Sequence, residues 1–457
     1  MSSKQKDHYW LKSGIINVLQ NFSGVFFGFA GFYILVRVLS KQDFGVWTLF
    51  MSVTTIMEAI RSGLIQNALV KYLSAADKSE HTAIISASTA ISGMVTAFCV
   101  GLIFVFAPYL SHIWDSPQLV GIMYIYILVF ISTGFLTQFN AVEQANLRFN
   151  GIFINNFIRQ SSFFGFVLVC YLLDFQVKLL YLVWVQLGSV MISTLVAFSY
   201  VRHNFTFNFA IDRSWLGKLF GYGKYSFGTS VSSLLSGTVD QMMLGALLSP
   251  AASGAFNIAV RITNLIDIPG NAIAVVVFPQ SSRRMEEEGK GAIKYLYEKS
   301  VGTTLALVFP GVLFLYLFSD YVIHFIAGEK YADSIPLLQV TLLYCLLIPY
   351  GRQFGTILDS IGKTRVTFLV VVGTTVANLA LNYLLIVKYG VMGAAYATLI
   401  SNILGFAVAQ IILKKEVDVS LGNTIVYMFR FYPEFFEKYI LPVWKKKTGQ
   451  VDHTPKQ

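Results

Sequence analysis

Apolar residues fall in long uninterrupted runs along nearly the whole chain, and neither the strict alternation of a sheet nor the narrow stripe of a soluble helix is present. Twelve runs stand out, near residues 14–38, 44–70, 83–107, 118–139, 150–173, 179–200, 225–248, 254–279, 300–318, 335–358, 364–387 and 391–413. At 1.5 Å per helical residue, about twenty residues cross a ~30 Å hydrocarbon core. The pattern therefore predicts an all-α polytopic membrane protein with 12 transmembrane helices, and short polar connections between them. Function is then to be sought in the few polar side chains inside the runs, because an ionisable group at membrane depth is costly unless it faces a cavity or a partner.

Composition agrees: 55% of the 457 residues are hydrophobic and only 13% are charged, against about 25% in a soluble domain. The formal charge of +10 does not point to nucleic acid, because the basic residues sit in short loops and in the tail. Alternate connections collect them: Lys71, Lys78, Arg148, Arg202, Arg213, Arg283, Arg284, Lys290, Lys363 and Lys414 lie on one side, with only Lys41, Lys178, Lys330 and Lys388 opposite. By the positive-inside rule both termini are expected in the cytoplasm. The first run is too long for a signal-peptide core and reads as a retained span. Cys99, Cys170 and Cys345 lie within apolar runs and form no metal or disulfide spacing.

A weak internal repeat organises the spans. Leu39-Ser40, Gly45 and Trp47 recur as Leu248-Ser249, Gly254 and Phe256, at a constant offset of 209 residues (248 minus 39), and the same offset superimposes Glu58 on Asp267. Each match sits at the outer turn of a hairpin, spans one and two against seven and eight. Parallel repeats of this kind imply a pseudo-twofold axis along the membrane normal. The expected architecture is two six-helix lobes around a central cavity: an N-lobe over 1–205, a cytoplasmic linker over 206–224, a C-lobe over 225–414, and a partly amphipathic cytoplasmic tail over 415–457. Pro433, Pro442 and the charges among the tail aromatics argue against a thirteenth span and suit an interfacial segment.

Three stretches resemble the polysaccharide-transport (Wzx-like oligosaccharide flippase) branch of the multidrug/oligosaccharidyl-lipid/polysaccharide flippase superfamily. They are the segment from Arg37 to Trp47; Asp240-Gln-Met-Met-Leu-Gly245 with the following Gly254 to Arg261 and Phe278-Pro279; and Asn378-Leu-Ala-Leu-Asn382 with Tyr389 to Tyr396. These motifs mark tight turns and packing glycines, not a substrate. The resemblance implies export of a lipid-linked oligosaccharide such as an O-antigen, capsule or teichuronic-type unit, with glycan polymerases or glycosyltransferases as possible protein partners.

The deep charges lead to the same class. Four arginines, Arg61, Arg159, Arg261 and Arg352, lie inside runs with three acids, Glu58, Asp240 and Asp267. Arg61 is about 15 Å from the inner end of its span; it either pairs with Glu58 one turn away or lines the cavity beside Asn21. Asp240 and Arg261 lie at equal distances from the turn at Pro250, either as a structural ion pair or as a pair switched by a coupling proton or sodium ion. Arg159 has no acid within one turn. Arg352 follows Pro349-Tyr350-Gly351, an expected kink, and suits either an anionic ligand or lipid phosphate. Arginine matches phosphate because its planar fork donates bidentate, permanently charged hydrogen bonds. Arg61, Arg159, Arg261, Arg352 and Asn21 are thus the candidate head-group ligands, and Glu58, Asp240 and Asp267 the candidates for ion coupling or charge pairing.

No Walker A sequence, catalytic Ser/His/Asp set, resident cofactor or metal cluster can be argued, so the expectation is a transporter and not an enzyme. A cation-coupled multidrug exporter of the same superfamily is the alternative; an arginine-bearing cavity disfavours lipophilic cations, since like charges repel. A membrane-embedded glycan polymerase or transferase is the more remote one, for want of a sizeable catalytic loop.

Overall fold

A computed structural model describes residues 3–206, 208 and 212–441. Helices account for the regular structure among them, as they must where the bilayer offers no partner for backbone N–H and C=O groups. The chain divides into two compact units, one made of Met1–Ala255 with Ile326–Lys330, the other of Phe256–Phe325 with Tyr331–Gln457.

The first unit holds α1 (Ser3–Val38), α2 (Lys41–Ala75), α3 (His81–Ile113), α4 (Gln118–Ala145), α5 (Phe149–Leu172), α6 (Leu179–Val201), α7 (Arg213–Leu247) and the opening of α8 (Pro250–Ile266). Only Leu39 and Ser40 separate α1 from α2. Ser40 makes that turn possible by capping α2: its Oγ accepts from the Asp43 N–H at 3.0 Å and donates to the Asp43 carboxylate at 2.7 Å. On the same side, Lys330 donates to the carbonyls of Arg37 (3.1 Å) and Leu39 (2.7 Å), placing a cation on the negative end of α1. Gly45 packs directly on the start of α8. A Cβ there would overlap the Pro250 carbonyl and lie 2.7 Å from the Ala251 nitrogen, and one on Gly254 would lie 3.1 Å from the Gly45 Cα. Only glycine allows these two backbones to meet.

The second unit holds the remainder of α8, α9 (Ile268–Glu287), α10 (Lys290–Leu317), most of α11 (Ser319–Ala327), α12 (Ser334–Cys345), α13 (Ile348–Ser360), α14 (Thr364–Tyr389), α15 (Val391–Val417) and α16 (Leu421–Phe435). Its core joins Tyr297, Val301 and Leu305 of α10 to Tyr350, Phe354 and Ile357 of α13. The segment after the last span is a docked helix. Buried Glu298 accepts from the Ser420 N–H (2.7 Å) and from Asn423 (2.9 Å); Thr424 shares a hydrogen bond with the Tyr350 hydroxyl (3.0 Å), and Tyr432 donates to the Ala306 carbonyl (2.8 Å). Partners at 298 and 306 on α10 meet 423 and 432 on α16, so the two helices run side by side in the same sense. Residues 442–457 of the expected tail, and 207 and 209–211 of the expected linker, lie outside the described residues.

Ten helices among the described residues are long and apolar enough to cross a membrane, with α12 and α13 together making one crossing. The bent pair α8–α9, with a 44° turn, raises the number to eleven. Two of the twelve expected runs differ from expectation. Run seven (225–248) is helical, but Ser226, Ser230, Ser232, Ser233, Ser236 and Asp240 dilute its apolarity. Run eight (254–279) is broken at Asp267, because Pro269 has no N–H for the helical ladder and instead occupies the first turn of a new helix. Pro349 has the same place at the start of α13.

Candidate substrate pocket and charge pairs

In the first unit α1, α2, α4 and α5 enclose a polar pocket of about 300 Å³. On α4, Thr133, Thr137, Asn140 and Gln144 follow one another by four, three and four residues, which puts all four on one helical face. Gln66 of α2, Gln20 of α1, and Asn156 and Arg159 of α5 complete the polar wall. Asn156 accepts from Arg159 Nη2 at 3.3 Å, and the Arg159 Nε is buried with no hydrogen-bond partner, as is the Gln20 side-chain oxygen. Behind this face Asn155 donates to Asn140 at 2.7 Å, and Ser193 donates to the Asn155 carbonyl at 3.0 Å. Arg159 is the one charged side chain in the lining. The pocket therefore offers a guanidinium and several amides inside a bundle of apolar helices.

Arg61 lies elsewhere. It is 1% exposed, pairs with Glu58 one turn back, donates Nη1 to the Phe130 carbonyl, and stacks over the Phe130 ring at 4.0 Å. Tyr126 donates to the other Glu58 oxygen at 3.2 Å. Gly134 is what admits the guanidinium: a Cβ there would lie 3.0 Å from Arg61 Nη1. Arg61 thus pairs with Glu58 and also borders a small cavity. That cavity, toward the C-terminal end of α2, measures about 10 Å³ and is lined also by Ser62, Gln66, Ser92 and Gln138, room for about one water. Gln66 and Thr137 belong to the lining of both this cavity and the larger pocket. Arg159 is also within Coulombic reach of Glu58.

The second unit has its own pair. Arg352 of α13 forks onto Asp267 at the α8–α9 break, with Nε 3.2 Å from one carboxylate oxygen and Nη2 on the other, and its Nη1 donates to Asn271. Gly270 leaves the space, since a Cβ there would lie 3.0 Å from the Asp267 carboxylate. Arg261 is an exposed residue of the second unit, whereas Asp240 is buried on α7 of the first, where its neighbour Gln241 accepts from Ser52 at 3.2 Å. Asn21 is exposed on α1. The polar face of α4, the Tyr126–Phe130–Gly134 surround and Asn271 are not among the residues expected from the sequence. The α4 face was available there as polar residues at helical spacing inside an apolar run.

Residues 34–336 match the family model described as polysaccharide biosynthesis protein, about two thirds of the chain. The chain belongs to that family. An uncharacterized membrane protein of Methanocaldococcus jannaschii, MJ1068, is 24% identical over 390 residues, covering 80% of this chain and 77% of its own length. The lipopolysaccharide biosynthesis protein WzxC of Escherichia coli is 21% identical over 417 residues, covering 90% and 79%. Among solved structures, the lipid II flippase MurJ in an inward closed conformation superposes with a TM-score of 0.74 at 15% identity, over 94% of this chain and 93% of that one. At that identity the likeness establishes the fold. This family member is thus a multi-pass membrane protein with the fold of the lipid II flippase MurJ.

Proposed function

We propose that this chain is a flippase that carries a polyprenyl-diphosphate-linked oligosaccharide from the inner to the outer leaflet of a bacterial cytoplasmic membrane by alternating access. The observation that carries the reading is the polar pocket of about 300 Å³ holding Arg159. A diphosphate leaving water needs charge and donors together. Arg159 supplies a permanent cation with an uncommitted buried Nε, and Gln20, Gln66, Asn140, Asn156 and Gln144 supply amides suited to phosphate oxygens and sugar hydroxyls. The size falls at the lower end for ligand pockets, in keeping with a head group entering while the tail stays in the bilayer. Family membership and the lipopolysaccharide-biosynthesis relative support a glycan as cargo.

In this reading α7 and the bent α8–α9 pair complete twelve crossings, six to each repeat, with both termini cytoplasmic. The contact between Gly45 and Gly254, the repeat-equivalent glycines, supports a twofold relation, because a residue meets its own equivalent only near such an axis. With no ATP motif in the sequence, a proton or sodium gradient drives the cycle. Glu58, Asp240 and Asp267 are the acids able to respond to it, and Arg61, Arg352 and Arg261 are the cations whose pairing they would alter.

The test is accumulation in a deletion strain complemented with variants. Loss of the protein builds up a lipid-linked glycan on the cytoplasmic face. Arg159→Ala should reproduce that build-up at normal membrane abundance, and Arg159→Lys should relieve it in part, keeping charge without the fork. Full export by Arg159→Ala would remove the pocket from the mechanism.

A further inference from the structure

One turn to the outer side of the Glu58–Arg61 pair, the first unit contains a second cavity with the opposite chemistry. It measures about 160 Å³ and lies between α2, α3, α4 and α7. Every side chain lining it is apolar. Three are methionines, Met57, Met123 and Met242, contributed by three different helices, and the rest include Ile56, Phe106 and Ala107. Of its lining, Met123 and Ala107 are buried at 1% and 2% exposure, whereas Phe106, next to Ala107 on α3, is 46% exposed. The cavity therefore borders the protein surface at Phe106. α2, α3 and α4 are among the helices apolar enough to cross a membrane, so that border faces hydrocarbon.

A cavity of about this size in a protein core accepts a single benzene-sized hydrocarbon. Unbranched thioether side chains adapt to irregular apolar shapes. A five-carbon, methyl-branched isoprene unit has the matching bulk. Along α2 the Glu58–Arg61 pair follows Val53, Ile56 and Met57 of this cavity and precedes Gln66 of the polar pocket. The two pockets thus order the chemistry along α2: polar groups on the inner side, hydrocarbon on the outer.

We propose that this outer cavity is a binding site for a segment of the polyprenyl chain of the lipid carrier, engaging the tail apart from the head group. The assignment rests on the flippase reading for the identity of the lipid. The cavity holds the isoprenoid while Arg159 and its amides handle the phosphates and sugar.

The experiment uses the full-length protein in detergent or nanodiscs, with a C55 polyprenyl monophosphate as probe and a phosphatidylglycerol of unbranched C18 chains as comparison, bound lipid being counted by native mass spectrometry. Ala107→Leu fills the cavity from α3 and Met242→Phe from α7; the second stands if the first does not fold. Each should weaken retention of the polyprenyl phosphate by at least about fivefold, given the apolar surface left unburied, while leaving the phospholipid unaffected. Unchanged polyprenyl retention in the folded variants overturns the proposal. Equal loss of both lipids also overturns it, by making the cavity a general acyl-chain site. If polyprenyl binding depends on the cavity but no glycan accumulates in the deletion strain, the glycan reading fails while the tail site stands.

Discussion

Glu58→Gln and Asp267→Asn remove the same charge from two arginine pairs, and the structure predicts unequal costs. At Glu58 the partner Arg61 has a side chain only 2% exposed; after substitution its guanidinium keeps the Phe130 carbonyl and ring but loses its counter-charge. Breaking a buried pair by removing one partner costs about 3–5 kcal/mol. Glu58 itself is 31% exposed and glutamine still accepts a hydrogen bond, which lowers the expected loss to about 2–3 kcal/mol. At Asp267 the cation is the more open partner, 30% for Arg352 against 2% for Arg61, although the acid at 19% is less exposed than Glu58, and Asn271 still receives Arg352 Nη1. The expected loss there is about 1 kcal/mol, in the range of open pairs. Equilibrium unfolding in mixed micelles, followed by tryptophan fluorescence, measures both. A Glu58→Gln/Arg61→Met double variant removes charge from both sides and should recover at least half of the single loss, because an apolar replacement of a buried pair is often neutral. Equal costs at the two sites, or a double variant worse than the sum of its singles, would refute the argument from burial.

Other consequences follow from individual contacts. Gly45→Ala places a methyl group against the Pro250 backbone, which no side-chain rotation can relieve, and should lower stability by about 3 kcal/mol or more in the same assay; Gly28→Ala, with open space around it, should change it little. Glu298→Ala strips the acceptor from the Ser420 N–H and Asn423 and should release α16, seen as faster amide exchange over 420–432 with the spans unchanged. Asp418, between Lys414 (2.5 Å) and Lys294 (3.2 Å), has its carboxyl held below the usual aspartate value by hydrogen bonds first to Lys414 and then to Lys294. A depressed acid keeps its contribution above its unfolded value and loses it only as pH falls through the folded one, so the clamp should persist down to about pH 4 and release below it, a change readable by exchange at 418–420.

How much of this was legible in the sequence depended on the range of each interaction. The Glu58–Arg61 pair and the polar face of α4 are local: residues three or four apart meet on any helix. Pro269 announced the break that places Asp267 at a helix end, although a hydropathy run passes straight over it. The partner of Asp267 was not legible, because Arg352 comes from a helix 85 residues away and no spacing rule connects them. The same holds for α16, whose aromatic and charged mixture reads as an interfacial segment until buried Glu298, more than a hundred residues earlier, is seen holding its first turn. The α4 polar face carries no charge to mark it in an apolar run, because its members are neutral amides and hydroxyls.

The central claim is transport of a lipid-linked glycan through the Arg159 pocket. Its most direct test reconstitutes the purified full chain in liposomes with a polyprenyl-diphosphate oligosaccharide, and follows the fraction of sugar accessible to an external glycosidase. The account predicts protein-dependent transfer that is abolished by Arg159→Ala and retained in part by Arg159→Lys. Transfer at the wild-type rate in Arg159→Ala, or none above empty liposomes under either a proton or a sodium gradient, would contradict it.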